Sequence, residues 1–333
     1  MSYKATILSI DEDIVVVEGQ TLLDAALNQG VDYPHSCKSG RCGVCKSRLT
    51  SGEVEHLSHL RFTLTEQEKA DGFILACRAV PKTNVKAAWL SQEEEPRFRL
   101  EGRVIGKSLL THDTVRLTVE LSNSVRFHPG QFVLLRINGL PERSYSMSNR
   151  SSGSALEFFV RVIPGGRVSG WIGSELNPGT SVEVEGPFGS SYLRQDHTGP
   201  ILAVAGGSGM APIKAIVEAA LHYGMKQDIH LYFGVREERD LYLLGHFESL
   251  QRQYSNLYFH TVLDRGSERS RHRIGRLDQV IFSDWKVFEG TWQAYVAGPP
   301  PLVESMAHRL PDKGIPPDSI FTDPFVFSQG NPL

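Results

Sequence analysis

The sequence contains no long hydrophobic run. Segments such as Ile201–Ala205 are far shorter than the roughly 20 apolar residues that a membrane-spanning helix needs. The first residues, Met1-Ser2-Tyr3-Lys4, lack the charged start and the long apolar core of a signal peptide. The net charge of -3 is not accompanied by a concentrated basic stripe. We therefore expect a cytoplasmic protein that binds neither a membrane nor a nucleic acid.

Cysteine is scarce as well. The 333 residues include only four, Cys37, Cys42, Cys45 and Cys77, and all lie in the N-terminal segment. This clustering argues against the dispersed disulfides of a secreted protein and, in a reducing cytosol, indicates metal binding or catalysis. The spacing Cys37-x4-Cys42-x2-Cys45, with Cys77 downstream, is typical of plant-type [2Fe–2S] ferredoxins.

A structural zinc site is the alternative for the same four thiolates. Zinc knuckles usually pair two short hairpins of the C-x2-C kind, whereas Cys77 stands alone, so the spacing favours the iron–sulfur cluster. Gly40 and Gly43 support this interpretation. A loop around a cluster needs positive φ angles and close backbone amides, and glycine permits both.

Three successive patterns divide the chain into domains. Residues 1–91 mix short strands and helices, which indicates a small α+β unit. Residues 98–197 alternate apolar and polar side chains between Gly- and Pro-rich turns, which predicts an antiparallel β-barrel. Residues 198–333 alternate strands with helices, which predicts a doubly wound parallel α/β sheet. The polar, acidic stretch at 91–96 is the predicted linker after the first domain.

Local signals place the elements of the first domain. Thr6–Ile10 and Ile14–Val17 are predicted to form a hairpin. Capping pairs that begin at Thr21 and Thr65 predict the starts of two helices.

A candidate flavin site ends one predicted barrel strand. The segment offers an arginine for a phosphate, an aromatic ring to cover a flavin and a hydroxyl near the flavin N5 atom. Its residues are Arg143, Ser144, Tyr145 and Ser146. The four-residue pattern is weak alone, because a surface strand can carry an arginine by chance.

A second segment strengthens the flavin interpretation. Pro164–Ser169 follows a strand and precedes a predicted helical turn at Trp171-Ile172. Amides at a helix start and a serine hydroxyl together can bind a pyrophosphate, which favours FAD over FMN. An ordinary Gly-Gly turn is the alternative.

Three turns predict a nicotinamide nucleotide site. Gly206–Pro212 joins an apolar strand to an amphipathic helix, Tyr232–Arg236 ends a second strand, and Gly298–Pro301 ends a third. Ligands of such sheets bind beyond the carboxyl ends of the strands. The first turn is not the G-x-G-x-x-G fingerprint, which disfavours an ordinary Rossmann dehydrogenase.

The whole chain resembles the reductase components of Rieske aromatic-ring-hydroxylating dioxygenases, of the naphthalene dioxygenase reductase type. The resemblance rests on the cysteine loop, the flavin segment, and the segments Pro187–Pro200 and Leu231–Arg236. It implies a ferredoxin β-grasp domain, a flavin-binding barrel and a nucleotide domain. The implied cofactors are a [2Fe–2S] cluster, FAD and NADH or NADPH.

The resemblance also implies roles for individual residues. Arg143 binds an FAD phosphate, Tyr145 packs on the flavin, and Ser146 lies near N5. Phe325, after Asp323 and Pro324, shields the flavin, although this segment can also be a buried strand end. The implied pyrophosphate and nicotinamide contacts are Gly166, Val168, Ser169, Gly207, Ser208, Gly209, Met210, Arg236, Gly298 and Pro299. Many relatives carry a cysteine where this chain has Ala297, which puts a thiol role in nicotinamide positioning in doubt.

The expected function is electron transfer. Electrons enter as a hydride from NAD(P)H and leave singly through the cluster to an oxygenase component or its carrier ferredoxin. NADH is favoured over NADPH, although Arg236–Asp240 offers both charge signs. We expect a monomer. The alternatives are a reductase for a pyridoxamine-dependent deoxysugar dehydratase, a reductase for a soluble di-iron monooxygenase, and a non-catalytic iron–sulfur sensing module.

Overall fold

The computed structural model describes residues 2–35, 38–40, 43–60, 63–90, 97–137, 139–151, 153–267 and 269–325. The chain forms two compact units, Met1–Glu94 and Glu95–Leu333. Cys37, Cys42 and the predicted linker at 91–96 lie outside the described residues. Within the described residues, no helix is both long and apolar enough to cross a membrane.

The first unit is built on a mixed five-stranded sheet of order β2-β1-β7-β3-β5, beside a two-stranded sheet of β4 and β6. Its strands are β1 (Ser2–Ile7), β2 (Glu12–Val17), β3 (Lys46–Ser51), β4 (Val54–His56), β5 (Phe73–Leu75), β6 (Ala79–Pro81) and β7 (Val85–Trp89), and its helices are α1 (Leu22–Asn28) and α2 (Glu66–Ala70). Strand β1 is antiparallel to β2 and parallel to β7. This arrangement confirms the predicted ferredoxin-type α+β fold.

Both predicted helix starts are confirmed. The Thr21 hydroxyl accepts a hydrogen bond from the Asp24 amide, and Thr65 forms a complete capping box with Glu68. The predicted hairpin also forms, but β1 ends at Ile7. Residues 8–10, predicted as strand, instead make the turn and leave Leu8 and Ile10 exposed.

The second unit begins with a six-stranded antiparallel sheet of order β11-β10-β13-β8-β9-β12. Its strands are β8 (Phe98–Leu109), β9 (Thr114–Val125), β10 (Phe132–Arg136), β11 (Arg143–Ser146), β12 (Gly153–Arg161) and β13 (Ser181–Phe188), and its helix is α3 (Arg167–Ser174). An antiparallel bridge between Met147 and Phe158 brings the two edges of the sheet together, as the predicted barrel requires.

The rest of the second unit is a parallel sheet of order β17-β16-β15-β14-β18-β19. Its strands are β14 (Ile201–Gly206), β15 (Ile229–Val235), β16 (Leu257–Leu263), β17 (Arg273–Ile274), β18 (Gln293–Gly298) and β19 (Ile320–Pro324), and its helices are α4 (Met210–His222), α5 (Leu244–Gln253), α6 (Leu277–Asp284) and α7 (Pro300–Arg309). The strand order reverses between β14 and β18, where doubly wound sheets bind their ligands.

Candidate functional site

Two predicted cluster cysteines lie together in the first unit. Cys45 and Cys77 are each 3% exposed, and the Cys77 amide donates to the Cys45 Sγ atom at 3.5 Å. Amide donation of this kind stabilises a thiolate sulfur that binds metal. Gly43 precedes Cys45 with a φ of +75°, as the cluster loop was predicted to require.

Gly40 occupies a position with no room for a side chain. Its φ is +72°, and an added Cβ atom would lie 2.7 Å from side-chain carbons of both Arg78 and His59. The Gly40 carbonyl accepts hydrogen bonds from the Thr63 hydroxyl and the Leu60 amide. The closely packed loop, the sulfur donors and the amide contact all fit an iron–sulfur cluster.

The flavin segment forms strand β11. Arg143 and Tyr145 pair with residues of β10 that belong to the barrel core, and Tyr145 packs against that core. One Arg143 guanidinium nitrogen donates to the Glu142 carbonyl at 2.7 Å. Ser144 is exposed. Ser146, on the opposite side of the strand from Tyr145, is 7% exposed.

Ser146 meets the last described strand of the chain. Its hydroxyl donates to the Asp323 carboxylate at 2.7 Å. Removal from water raises the pKa of Asp323 to about 6, and the Ser146 hydrogen bond acts against this rise. The pair therefore places a carboxyl with a raised pKa beside β11, the strand that is predicted to bind the flavin.

The segment after Asp323 reaches the predicted nucleotide turns. In the parallel β18–β19 pair, Asp323 lies opposite Ala297, the position where many relatives carry cysteine. The Phe325 amide donates to the Gly298 carbonyl at 2.8 Å. Phe325, Gly298 and the Ser146–Asp323 pair therefore occupy one end of the parallel sheet.

The predicted pyrophosphate segment has the geometry of an anion cradle. Helix α3 begins after Gly166, which provides no side-chain cap, so the amides of its first turn have no partner within the helix. An added Cβ atom at Gly166 would lie 2.5 Å from the Ser169 hydroxyl oxygen. That oxygen accepts a hydrogen bond from the Ile163 amide. Val168 is buried in the barrel core, so only its backbone can contact a ligand.

Two glycine loops touch at the ends of β14 and β18. A Cβ atom at Gly209 would lie 2.2 Å from the Ala297 carbonyl oxygen, and one at Gly298 would lie 2.8 Å from the Gly206 oxygen. Gly207 has a φ of +55°. Met210, which follows these glycines, is fully buried in the core. Gly209 and Gly298 therefore allow the two loops to pack backbone against backbone, whereas a Cβ atom at Gly207 would meet open space.

A cleft of about 360 Å³ opens beside these loops. Four predicted residues line it, namely Gly207, Ser208, Arg236 and Pro299. Gly209, Met210 and Gly298 do not line it. Asp240, which ends the Arg236–Asp240 segment considered above, also lines the cleft. The cleft has further polar residues that the sequence did not single out, and three of them come from the barrel: Asp113, Thr114, Arg161, Asp264, Arg276 and Asp278.

Arginines lower the pKa of two carboxyl groups in this cleft. Burial opposes ionisation of Asp113, but hydrogen bonds from Arg161 and Thr111 hold its pKa below the ordinary value. Asp278 behaves similarly, since Ser305 and Arg276 outweigh its burial and lower its pKa. Burial raises the pKa of Asp264. The cleft therefore offers both carboxylates and guanidinium groups to a nucleotide.

Lys214 connects the parallel sheet to the flavin strand. Its ammonium group, on α4, donates to the Ser148 carbonyl at 2.9 Å and contacts Glu157 of the barrel and Glu218 of its own helix. The Ser148 hydroxyl also donates to Glu157. This network holds the chain just beyond Ser146 against the nucleotide-binding part of the unit.

Three protein families match successive parts of the chain. They are the 2Fe-2S iron-sulfur cluster binding domain at residues 6–82, the oxidoreductase FAD-binding domain at 101–192 and the oxidoreductase NAD-binding domain at 203–308. The matches follow the predicted order of the cofactors. The chain therefore uses a [2Fe–2S] cluster, FAD and NAD(P)H.

Relatives match nearly the full length. The ferredoxin–NAD(P)+ reductase component of the naphthalene 1,2-dioxygenase system of Pseudomonas putida is 36% identical over 92% of this chain and 94% of its own. The electron transfer component of xylene/toluene monooxygenase from Pseudomonas putida is 31% identical over 93% and 90%. The crystal structure of the Amycolatopsis cytochrome P450 reductase GcoB has a TM-score of 0.75 and 32% identity, covering 97% and 98% of the two chains. The chain thus belongs to the NAD(P)H-dependent oxidoreductases of the naphthalene dioxygenase reductase type, in which a plant-type ferredoxin is fused to an FAD- and NAD-binding reductase.

Proposed function

We propose that this protein passes electrons from NADH to the oxygenase component, or its carrier ferredoxin, of a multicomponent aromatic-ring-hydroxylating oxygenase. The observation that carries the proposal is the 36% identity, over 92% of this chain, to the naphthalene dioxygenase reductase component. The domains assigned to the cluster, FAD and nicotinamide are residues 1–91, 98–197 and 198–333. The three family matches, which fall within these ranges, support this division.

The proposed metal ligands are Cys37, Cys42, Cys45 and Cys77. The contact between the Cys77 amide and the Cys45 sulfur supports the assignment. An iron–sulfur centre with thiolate ligands also suits the reducing cytoplasm, where we place the protein. We further propose a monomer, for which light scattering should give a mass near 37.0 kDa.

In the proposed flavin site, Arg143 and the first turn of α3 bind the phosphates, with Gly166, Val168 and Ser169 forming the cradle. Tyr145 and Phe325 cover the flavin ring. Ser144 contributes backbone contacts, since its side chain is exposed. FAD, when bound, would allow the two electrons of one hydride to be passed on singly.

The proposed task of Ser146 and Asp323 is to hold a proton beside the flavin. The 2.7 Å hydrogen bond fixes the hydroxyl, and a pKa of about 6 allows the carboxyl to exchange a proton near neutral pH. Phe325 helps to exclude water from the same place. No other acid or base is needed, since the cofactors carry the redox chemistry.

In the proposed nucleotide site, Gly207, Ser208 and Pro299 line the cleft and contact the dinucleotide. Gly209, Met210 and Gly298, which do not line the cleft, lie behind these residues and hold them in place. Arg236 lines the cleft and binds phosphate. Asp264 lines the same cleft and can accept hydrogen bonds from ribose hydroxyls, whereas it would repel a 2′-phosphate. We therefore propose NADH as the preferred donor. Steady-state kinetics should give NADH a kcat/KM at least about tenfold above that of NADPH, and equal values would contradict this preference.

A multicomponent monooxygenase is the second candidate acceptor system. The 31% identity to the xylene/toluene monooxygenase component favours it. The relatives therefore share the reductase architecture while serving different acceptors, and only acceptor kinetics can separate the two candidates.

Reduction of competing acceptors tests the proposal. The purified holoprotein is supplied with NADH and offered the carrier ferredoxin of a naphthalene-type dioxygenase or a di-iron monooxygenase hydroxylase. We expect at least a tenfold higher kcat/KM for the dioxygenase ferredoxin, which corresponds to about 1.4 kcal/mol. A preference for the hydroxylase would replace the first candidate with the second. The control variant Cys77→Ser should lose reduction of both proteins but keep ferricyanide reduction, because ferricyanide can drain the flavin directly.

A further inference from the structure

A column of stacked side chains runs from the barrel to the last two strands of the parallel sheet. His128 stacks on Tyr192, with ring centroids 4.5 Å apart. The Arg194 guanidinium carbon lies 3.5 Å from the Tyr192 centroid and 4.6 Å from that of Phe321. Phe321, on β19, stacks in turn on Tyr295 of β18 at 5.1 Å. Arg194 is the central member of this column.

The Arg194 side chain is held in place by neutral groups. Its guanidinium donates to the carbonyls of Tyr192 and Ser190, at 3.2 and 3.0 Å. Its backbone amide donates to the Tyr295 hydroxyl at 2.9 Å. Among the described residues, no carboxylate lies within ion-pair distance of Arg194. A guanidinium that is fixed between two rings by carbonyls serves stacking, for which its planar shape is suited.

Strand β19 carries this column and the flavin-site carboxyl on the same side. Phe321 and Asp323 are two residues apart, so their side chains point to the same face of the strand. Phe321 contacts Arg194, and Asp323 accepts the hydrogen bond from Ser146. Within the described residues, β19 is an edge strand that pairs only with β18. No backbone hydrogen bond among these residues joins β19 to the barrel, so side-chain contacts link the two.

We propose that Arg194 is a positioning residue that holds β19 against the barrel and thereby sets the Ser146–Asp323 hydrogen bond. Arg194 touches neither Ser146 nor Asp323. It acts through Phe321, by filling the space between that ring and Tyr192. The inference rests on the proposed role of Ser146 and Asp323 in the flavin site.

The pKa of Asp323 can report whether the hydrogen bond from Ser146 is intact. Among the described residues, its pKa responds to burial, which raises it, and to the Ser146 hydrogen bond, which lowers it. Loss of that hydrogen bond should raise the pKa further. Arg194→Leu should therefore raise the titration midpoint of Asp323 toward the value found in Ser146→Ala.

Infrared difference spectroscopy of the holoprotein across a pH series can follow the carboxyl band that disappears in Asp323→Asn. We expect the midpoint to rise in Arg194→Leu. It should rise less in Arg194→Lys, which keeps the charge but lacks the planar group. It should not rise further when Arg194→Leu is added to Ser146→Ala. The turnover number with NADH and ferricyanide should fall about two- to fivefold in Arg194→Leu. Arg48→Leu, which removes an arginine from the Phe73 ring in the first unit, is the matched control and should change neither quantity.

Phe321→Leu provides a second variant, since it removes the ring on β19 and leaves Arg194 in place. It should raise the midpoint in the same direction even if Arg194→Leu does not fold. The proposal would be overturned if the midpoint stayed unchanged in both Arg194→Lys and Phe321→Leu. It would also be overturned if Arg194→Leu shifted the midpoint equally in the wild-type and the Ser146→Ala backgrounds. If the midpoints move but Asp323→Asn keeps normal turnover, the proposed role of Asp323 fails while the positioning by Arg194 stands.

Discussion

Asp323 and Asp278 lie in the same compact unit, yet their pKa values are shifted in opposite directions. Asp323, which is half-buried on β19, has a pKa raised to about 6 because its partial removal from water is opposed only by the Ser146 hydroxyl. Asp278, in the nucleotide cleft, is 4% exposed, but Ser305 and Arg276 outweigh its burial and lower its pKa. Arg309 also lies 3.6 Å from it. The neighbours of each carboxyl therefore decide the direction of its shift.

The difference follows the chemistry proposed for each region. A nucleotide carries phosphates, so its cleft needs guanidinium groups, and carboxylates such as Asp278 keep those groups in place. The flavin region is proposed to accept a hydride and to exchange protons. A fixed cation nearby would stabilise the ionised carboxylate and so oppose protonation of Asp323. Asp323 can hold or release a proton near neutral pH because no arginine or lysine among the described residues contributes to its shift.

The largest expected effect comes from removing the flavin-side carboxyl. Asp323→Ala should lower the turnover number with NADH and ferricyanide roughly 10- to 100-fold, because Ser146 loses a charged hydrogen-bond acceptor. Asp323→Asn should remove any step near pH 6 from the profile of turnover against pH. Steady-state rates from pH 5 to 8 measure both effects.

Asp318→Asn provides the control for this prediction. Asp318 is an exposed residue in the turn that precedes β19, so its loss should leave the rate and the pH profile unchanged. A step near pH 6 that survives in Asp323→Asn would mean that another group titrates there, and the contrast between the two carboxyl sites would lose its functional meaning.

Local signals in the sequence predicted most of the fold. The capping pairs at Thr21 and Thr65 and the glycine turn at Gly206–Gly209 depend on neighbours within a few residues, so the sequence shows them directly. The ends of strands were harder to predict from the sequence. The apolar pattern through Ile10 predicted a longer first strand. The chain instead turns after Ile7, because a turn there lets the backbone groups of β1 and β2 form hydrogen bonds with each other.

Contacts between residues that are distant in sequence could not be predicted from local signals. Ser146 and Asp323 are 177 positions apart, and only the packing of β19 against the barrel brings them together. Arg161 and Asp113 enter the nucleotide cleft from barrel strands and adjoining turns that carry no nucleotide motif. The sequence offered one weak signal, since Arg161 directly follows an apolar strand pattern and precedes the Pro164–Ser169 segment by three residues.

The next prediction concerns Arg161, which lines the nucleotide cleft. Arg161→Leu should raise the KM for NADH about tenfold and leave the turnover number unchanged, because a charge-assisted contact to the bound nucleotide is lost equally before and during hydride transfer. Initial rates over a range of NADH concentrations measure this. Arg103→Leu is the control, since Arg103 is a barrel arginine that donates to the Gly179 carbonyl. A fall in turnover at constant KM would instead place Arg161 in the hydride-transfer step.

The last expected effect is on stability, where substitution of the two carboxyls should change the free energy of unfolding in opposite directions. The folded-state pKa of Asp323, about 6, exceeds its ordinary value of 3.8. Its contribution to stability is therefore complete below pH 3.8 and is lost as the pH rises through 6. Asp323→Asn should raise the free energy of unfolding by about 2 to 3 kcal/mol at pH 8 and by roughly half as much at pH 5.

Asp278 should show the reverse, because its folded-state pKa lies below 3.8. Its contribution is present above pH 3.8 and is lost as the pH falls through the folded-state value. Asp278→Asn should therefore lower the free energy of unfolding by about 1 to 2 kcal/mol at pH 8, since Arg276 and Ser305 lose a charged acceptor. Denaturant titrations of both variants at pH 5 and pH 8 measure the pair. If both substitutions changed stability in the same direction at pH 8, the neighbouring arginines would not be what separates the two sites.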